Sequence, residues 1–180
     1  VEDAAVAGPY SAALYCLGAD GRAQPRETGV GIANGLCWSP DGHTLYFADS
    51  PRHAIYAYDF DVDSGRIGNR RQFARTGPGV EPDGSCVDAE GCLWNAQWGA
   101  GRVLRYAPDG RVLETLETPG ALQPTCVAYA GPALDLLCVT SARVGLAPAA
   151  LAAQAHAGDV FVYRTGTCGL RESRARLPAA

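Results

Sequence analysis

The feature that most constrains this chain is a repeated phrase. Asn34-Gly35-Leu36-Cys37-Trp38-Ser39-Pro40-Asp41-Gly42 runs into the β-rich stretch Leu45 to Ala48. It returns as Pro82-Asp83-Gly84-Ser85-Cys86-Val87-Asp88-Ala89-Glu90-Gly91 ahead of Cys92-Leu93-Trp94. Aligning Cys37 with Cys86 and Cys126 gives repeat lengths of 49 and 40 residues. Each unit then holds short alternating apolar runs separated by Gly, Pro and Asp. Pro presets φ, Asp caps its own backbone and Gly accepts φ > 0, so each cluster is a turn between strands. About four short strands at such a period are the mark of propeller blades.

Taken in order, residues 1 to 9 carry no pattern and are expected to fray. Ala13 to Leu17 predicts a strand, and Arg26 to Ile32 leads into the first phrase. The next strand is Ala54 to Asp59, followed by a polar turn over Asp61 to Gly68 and a short outer strand over Arg71 to Ala74. The second unit offers Ser85 to Asp88, Cys92 to Ala96, Arg102 to Tyr106 and Val112 to Leu116. The third offers Thr125 to Ala128, Leu136 to Thr140 and Asp159 to Tyr163. An Ala-rich insertion, Leu146 to Ala157, has Pro148 placed to open a helical turn. The expectation is an all-β chain of three blades and part of a fourth, one partial propeller over residues 1–180.

Charge and cysteine content narrow the class. With 15 basic and 19 acidic residues the net charge is −4, which argues against a nucleic-acid partner held by a basic field. No apolar run reaches the roughly 18 residues of a membrane span, and no signal peptide is visible. Seven cysteines without a Cys-x-x-Cys pair predict reduced thiols in a cytoplasmic protein. The chain opens on Val and contains no Met, from which a missing natural N-terminus is expected.

On the Cys alignment, Asn34 falls on Asp83, each followed by Gly, and Gln123 stands at the third such point. Oxygen-bearing side chains at equivalent points of a radial repeat converge on one centre. An Asn carbonyl and an Asp carboxylate suit a divalent ion such as Ca²⁺, Mg²⁺ or Mn²⁺. The alternative is that Asn-Gly and Asp-Gly are simply turn dipeptides.

Other motifs carry less. Asp59 to Gly65 imitates the start of an EF-hand loop, but Ser64 replaces the Gly and Arg70 stands where a bidentate Glu is required. A solvated turn is the expectation. His43, His53 and His156 share no ligand spacing and are expected at the surface. No nucleophile elbow, Walker loop or dinucleotide fingerprint is present. Trp94, Trp98 and Tyr46 are expected in sheet packing, with Trp98 also placed to wall a pocket. Arg143 could close a pocket with positive charge or pair with a neighbouring acid.

These motifs together resemble the senescence marker protein/regucalcin/gluconolactonase family. The resemblance rests on Asn34-Gly35-Leu36, Trp38 to Gly42, Pro82-Asp83-Gly84, Asp88 to Gly91, Leu93-Trp94 and Gly101-Arg102-Val103. Pro124-Thr125-Cys126, Gly131-Pro132 and Val139 to Arg143 continue it in order, over about residues 11 to 177. The resemblance implies a six-bladed β-propeller that hydrolyses sugar lactones with one divalent metal (Ca, Zn, Mn, Mg or Fe). It further implies Asn34 and Asp83 as metal ligands and Asp83 as catalytic base. The family's early Glu-Gly-Pro ligand and its substrate-contacting Arg and Asn have no counterpart here. The chain therefore resembles the C-terminal three-fifths of a lactonase, with a sugar lactone as partner and inactivity expected of the fragment alone. A non-catalytic propeller scaffold and a calcium-binding regulatory protein are the rival expectations.

Overall fold

A computed structural model of the protein describes residues 10–174; the first nine residues, expected to fray, lie outside the described residues. Four antiparallel sheets follow one another along the chain. The first pairs β1 (Ala12–Leu17) with β2 (Ala23–Val30). The second is β3 (Ala33–Trp38), β4 (Thr44–Asp49), β5 (Ala54–Asp61) and β6 (Arg66–Arg75), hydrogen-bonded in that order. The third repeats the plan with β7 (Glu81–Val87), β8 (Leu93–Trp98), β9 (Arg102–Tyr106) and β10 (Val112–Glu117). The fourth holds β11 (Pro124–Ala130), β12 (Leu136–Ser141) and β13 (Val160–Tyr163). These are blades of a β-propeller, two complete and two partial.

The blades stack because the middle strands bury side chains on both faces, most of them apolar. Along β4, Leu45 and Phe47 pack toward the first sheet with Val30 and Tyr58. Tyr46 and Ala48 alternate with them and meet Val87, Leu93, Leu104 and Tyr106 of the third sheet. Along β8, Trp94 and Ala96 turn to Val127, Leu137 and Val139 of the fourth. Strand periodicity of two thus serves two interfaces at once. Truncating fully buried Trp94 would cost roughly 3–5 kcal/mol by the usual scale of such losses.

The inner strands β3, β7 and β11 lie side by side, with β7 in the middle. Each carries one extra residue against its partner strand, between Asn34 and Cys37, between Pro82 and Ser85, and between Pro124 and Cys126. A bulge bends a strand and re-aims its side chains. Three bulges at equivalent places therefore redirect the three inner strands at the same end of the blades.

Several expectations need adjusting. The outer strand β6 begins at Arg66, so the polar turn after β5 is shorter than the sequence suggested. Its side chains are mostly exposed, which removed the apolar signal that strand reading depends on. The Ala-rich insertion does contain a helix, α1 (Pro148–Ala153), with Pro148 in its first turn and no buried side chain. Pro40-Asp41-Gly42 forms the expected turn: Gly42 N–H donates to the Ser39 carbonyl at 2.9 Å, and Gly42 has φ of 72°. Pro82-Asp83-Gly84, the same three letters, lies inside β7 instead. All seven cysteines are free thiols, with Cys37 buried, Cys86 half-buried and Cys126 exposed.

Candidate functional site

Neither Asn34-Gly35 nor Asp83-Gly84 forms a hairpin turn. Both lie in inner strands, at the bulges of β3 and β7. Their glycines serve close approach. A Cβ built on Gly35 would lie 2.8 Å from Ser85 Oγ and 3.0 Å from the Asp83 carbonyl oxygen. One built on Gly84 would lie 2.6 Å from Cys126 Sγ. The three inner strands can touch here only because side chains are missing.

The structure brings Asn34 and Asp83 together. The Asn34 side chain lies beside the Asp83 carboxylate, across the gap between two blades. Asn34 Nδ2 also donates to Ser50 Oγ at 3.1 Å. Buried Ser50 passes this on, donating to the Pro82 carbonyl at 2.8 Å. Since the serine proton is committed to a carbonyl, its oxygen must accept, and the Asn34 amide is oriented with its nitrogen toward Ser50.

Asp83 is the strained member of the pair. Burial pushes its carboxyl up to about 6, aided by the nearby charge of Glu81; the Gly84 N–H and the Asn34 side chain pull the other way. Among the described residues no Arg, Lys or His forms an ion pair with Asp83 or Glu81. A partly buried carboxylate without a counter-cation, beside a neutral amide, fits a hard divalent ion. Asn34 and Asp83 are the residues that would hold it. No group of three or more His, Cys, Asp or Glu side chains is placed to hold a metal among the described residues, so the pair supplies only part of a coordination shell.

Gln123 does not join them. Its Nε2 donates to the Val144 carbonyl at 3.3 Å, and its Oε1 is buried without a donor among the described residues. Trp98 ends β8 opposite Glu81, half-buried, at the same end of the blade as Asp83. Arg143 is exposed and forms no ion pair among the described residues. His43 and His156 are exposed as expected, whereas half-buried His53 ties its Nδ1 to the Val80 carbonyl at 2.9 Å. Asp59 and Asp61 bind Arg71 and Ser64 in a solvated hairpin, as the failed EF-hand match suggested.

Two concavities of about 640 and 650 Å³ lie elsewhere, along the later halves of β3, β7 and β11, beside residues 170–174. Neither is lined by Asn34 or Asp83. Polar geometry, rather than concavity, marks the site. Sequence reasoning did not pick out Ser50, Glu81 or Asn95, all of which bear on it. Ser50 and Glu81 adjoin turn and strand ends where polar residues are ordinary. Asn95 alone carried a signal, as an amide in the middle of an apolar run.

Residues 2–143 match the family described as "SMP-30/Gluconolactonase/LRE-like region". The chain is 49% identical over 144 residues to L-arabinolactonase of Azospirillum brasilense, covering 79% of this chain and 47% of the relative. It is 42% identical over 162 residues to 6-deoxy-6-sulfogluconolactonase of Pseudomonas putida, covering 88% and 55%. The crystal structure of regucalcin, a calcium-binding protein from Agrobacterium tumefaciens str. C58, superposes with a TM-score of 0.89 at 35% identity, over 96% of this chain and 58% of that one. The chain spans about half the length of the curated relatives it matches. It belongs to the SMP-30/gluconolactonase/LRE-like family.

Proposed function

We propose that the protein containing this chain is a metal-dependent sugar lactonase, opening an aldonolactone to its aldonic acid. The observation that carries this reading is the Asn34–Asp83 pair, shared between two blades and lacking a counter-cation among the described residues. Relatives named as lactonases support the same class of substrate. Since the chain spans about half of those relatives, the complete site would draw further ligands and substrate contacts from outside it.

A divalent ion held at this pair would supply Lewis acidity toward the lactone carbonyl. Asp83 is ionised above about pH 6 and can take the proton of an attacking water. Asn34 offers a neutral oxygen and is held in place through Ser50. The ring C–O bond then breaks, and the ring oxygen leaves as a hydroxyl with the proton that Asp83 took from the water. Seven free thiols are in keeping with a cytoplasmic setting.

Hydrolysis of several aldonolactones by the full-length protein, with and without chelator, tests the reading. Turnover above the spontaneous rate that chelator abolishes and Mn²⁺ or Ca²⁺ restores is expected. Metal binding without turnover on any lactone would favour a calcium-binding role, the description attached to the regucalcin structure. Absence of both would leave a scaffold.

A further inference from the structure

Buried amides are expensive in a strand that otherwise packs apolar side chains, unless every polar atom finds a partner. Asn95 stands in the middle of β8, fully buried, on the face that also carries Leu93. The equivalent position of the preceding blade, one past the residue opposite the aligned Cys, is Phe47, which is equally buried. The repeat therefore does not require a polar side chain here, yet the blade that carries Asp83 has one.

Its hydrogen bonds say what it holds. Asn95 Nδ2 donates to the Asp83 carbonyl oxygen at 2.9 Å and to Ser85 Oγ at 2.9 Å, one bond to each side of Gly84. These two oxygens also bound the space beside Gly35. The bulge of β7 is thus clamped between the bare Gly35 of one blade and the Asn95 amide of its own. The amide cannot be turned the other way, because the Asp83 carbonyl can only accept; its Oδ1 accepts in turn from buried Gln97 Nε2 at 2.6 Å.

We infer that Asn95 is a positioning residue for Asp83, with Gln97 holding the oxygen end of its amide. A bulge left unclamped can relax by a small rotation, and the direction of the Asp83 carboxylate follows its backbone. Displacements of about 1 Å at a reacting group can cost on the order of 10²-fold in rate. Groups that orient a metal-binding side chain commonly change metal affinity or activity by roughly 10–100-fold. The inference rests on Asp83 acting as ligand and base.

The test uses the full-length protein and three variants: Asn95→Leu, Gln97→Met and, as a control, Val103→Ala at a fully buried position of the same blade. Three quantities are read: Mn²⁺ affinity by calorimetry, kcat and KM at saturating metal, and Tm. Asn95→Leu is expected to weaken Mn²⁺ binding about tenfold and lower kcat about 10- to 100-fold, with KM within about twofold. Gln97→Met should show the same pattern to a smaller degree. Val103→Ala should lower Tm while leaving kcat and metal affinity alone. Wild-type kcat and metal affinity in Asn95→Leu, with only a lower Tm, would overturn the inference. If Asn95→Leu does not fold, normal values in Gln97→Met overturn it equally. The metal arm separates the two claims: weakened Mn²⁺ binding in a protein that hydrolyses no lactone would keep the Asn95 assignment and discard the lactonase.

Discussion

Gly84 stands so close to Cys126 that a Cβ on it would come within 2.6 Å of the sulfur and 2.8 Å of the Cys126 Cα. The second contact is with backbone, which cannot swing aside. The Asp-Gly dipeptide is therefore fixed by the meeting of two inner strands as much as by chemistry. Gly84→Ala should destabilise the protein by about 1–3 kcal/mol, the usual cost of overpacking. Gly68→Ala serves as a comparison, because nothing lies within 4 Å of a Cβ there. Thermal melts of the two variants should differ by several degrees, with Gly68→Ala near wild type.

Stability should also report on Asp83. Its folded-state pKa is raised to about 6, so the folded protein binds this proton more tightly than the unfolded chain does. Stability from this group is then lost as pH rises through the window from about 4 to 6, and the loss is complete above it. Asp83→Asn removes the penalty. In chelator at pH 7–8 the variant should melt above wild type, and the gap should close toward pH 4. A variant that melts lower at neutral pH would show that the carboxylate is stabilised by something outside these residues.

Asn34 supplies an oxygen without a charge, so its loss should be felt in binding more than in chemistry. Asn34→Ala is expected to raise the metal concentration needed for half-maximal activity about tenfold or more while changing kcat at saturating metal less. Superimposable metal titrations of variant and wild type would reduce Asn34 to a strand residue that links β3 to Ser50.

Residues 1–180 expressed alone should hold Ca²⁺ or Mn²⁺ only weakly. One carboxylate and one amide leave most of a coordination shell to water, whereas protein sites for such ions enlist six or more oxygens. Calorimetry on this chain should give a Kd well above the micromolar range and no chelator-sensitive hydrolysis of gluconolactone. Micromolar affinity would mean that a further ligand lies within the chain.

Much of the architecture was legible because alternation is a local property. Leu45 to Ala48 and Leu93 to Ala96 showed apolar residues on both faces, which is what a middle strand between two neighbours requires. The start of β6 was not legible, since Arg66 and Gly68 are exposed and the stretch reads as the end of a polar turn. The pairing of Asn34 with Asp83 followed from aligning the cysteines. The clamp on Asp83 did not: Asn95 becomes meaningful only once Gly35, Ser85 and Gln97 are seen around it. That arrangement joins residues up to about sixty positions apart, and no spacing rule connects them.

The most direct measurement compares wild type and Asp83→Asn in the full-length protein, at saturating Mn²⁺ and at a pH above 6, on the aldonolactone that wild type opens fastest. Asn is nearly isosteric with Asp, so the fold should hold, and circular dichroism will report it. The account predicts a kcat lower by about 10²-fold or more, the scale of losing one acid–base group. Near-normal turnover by a folded, metal-saturated Asp83→Asn would contradict it.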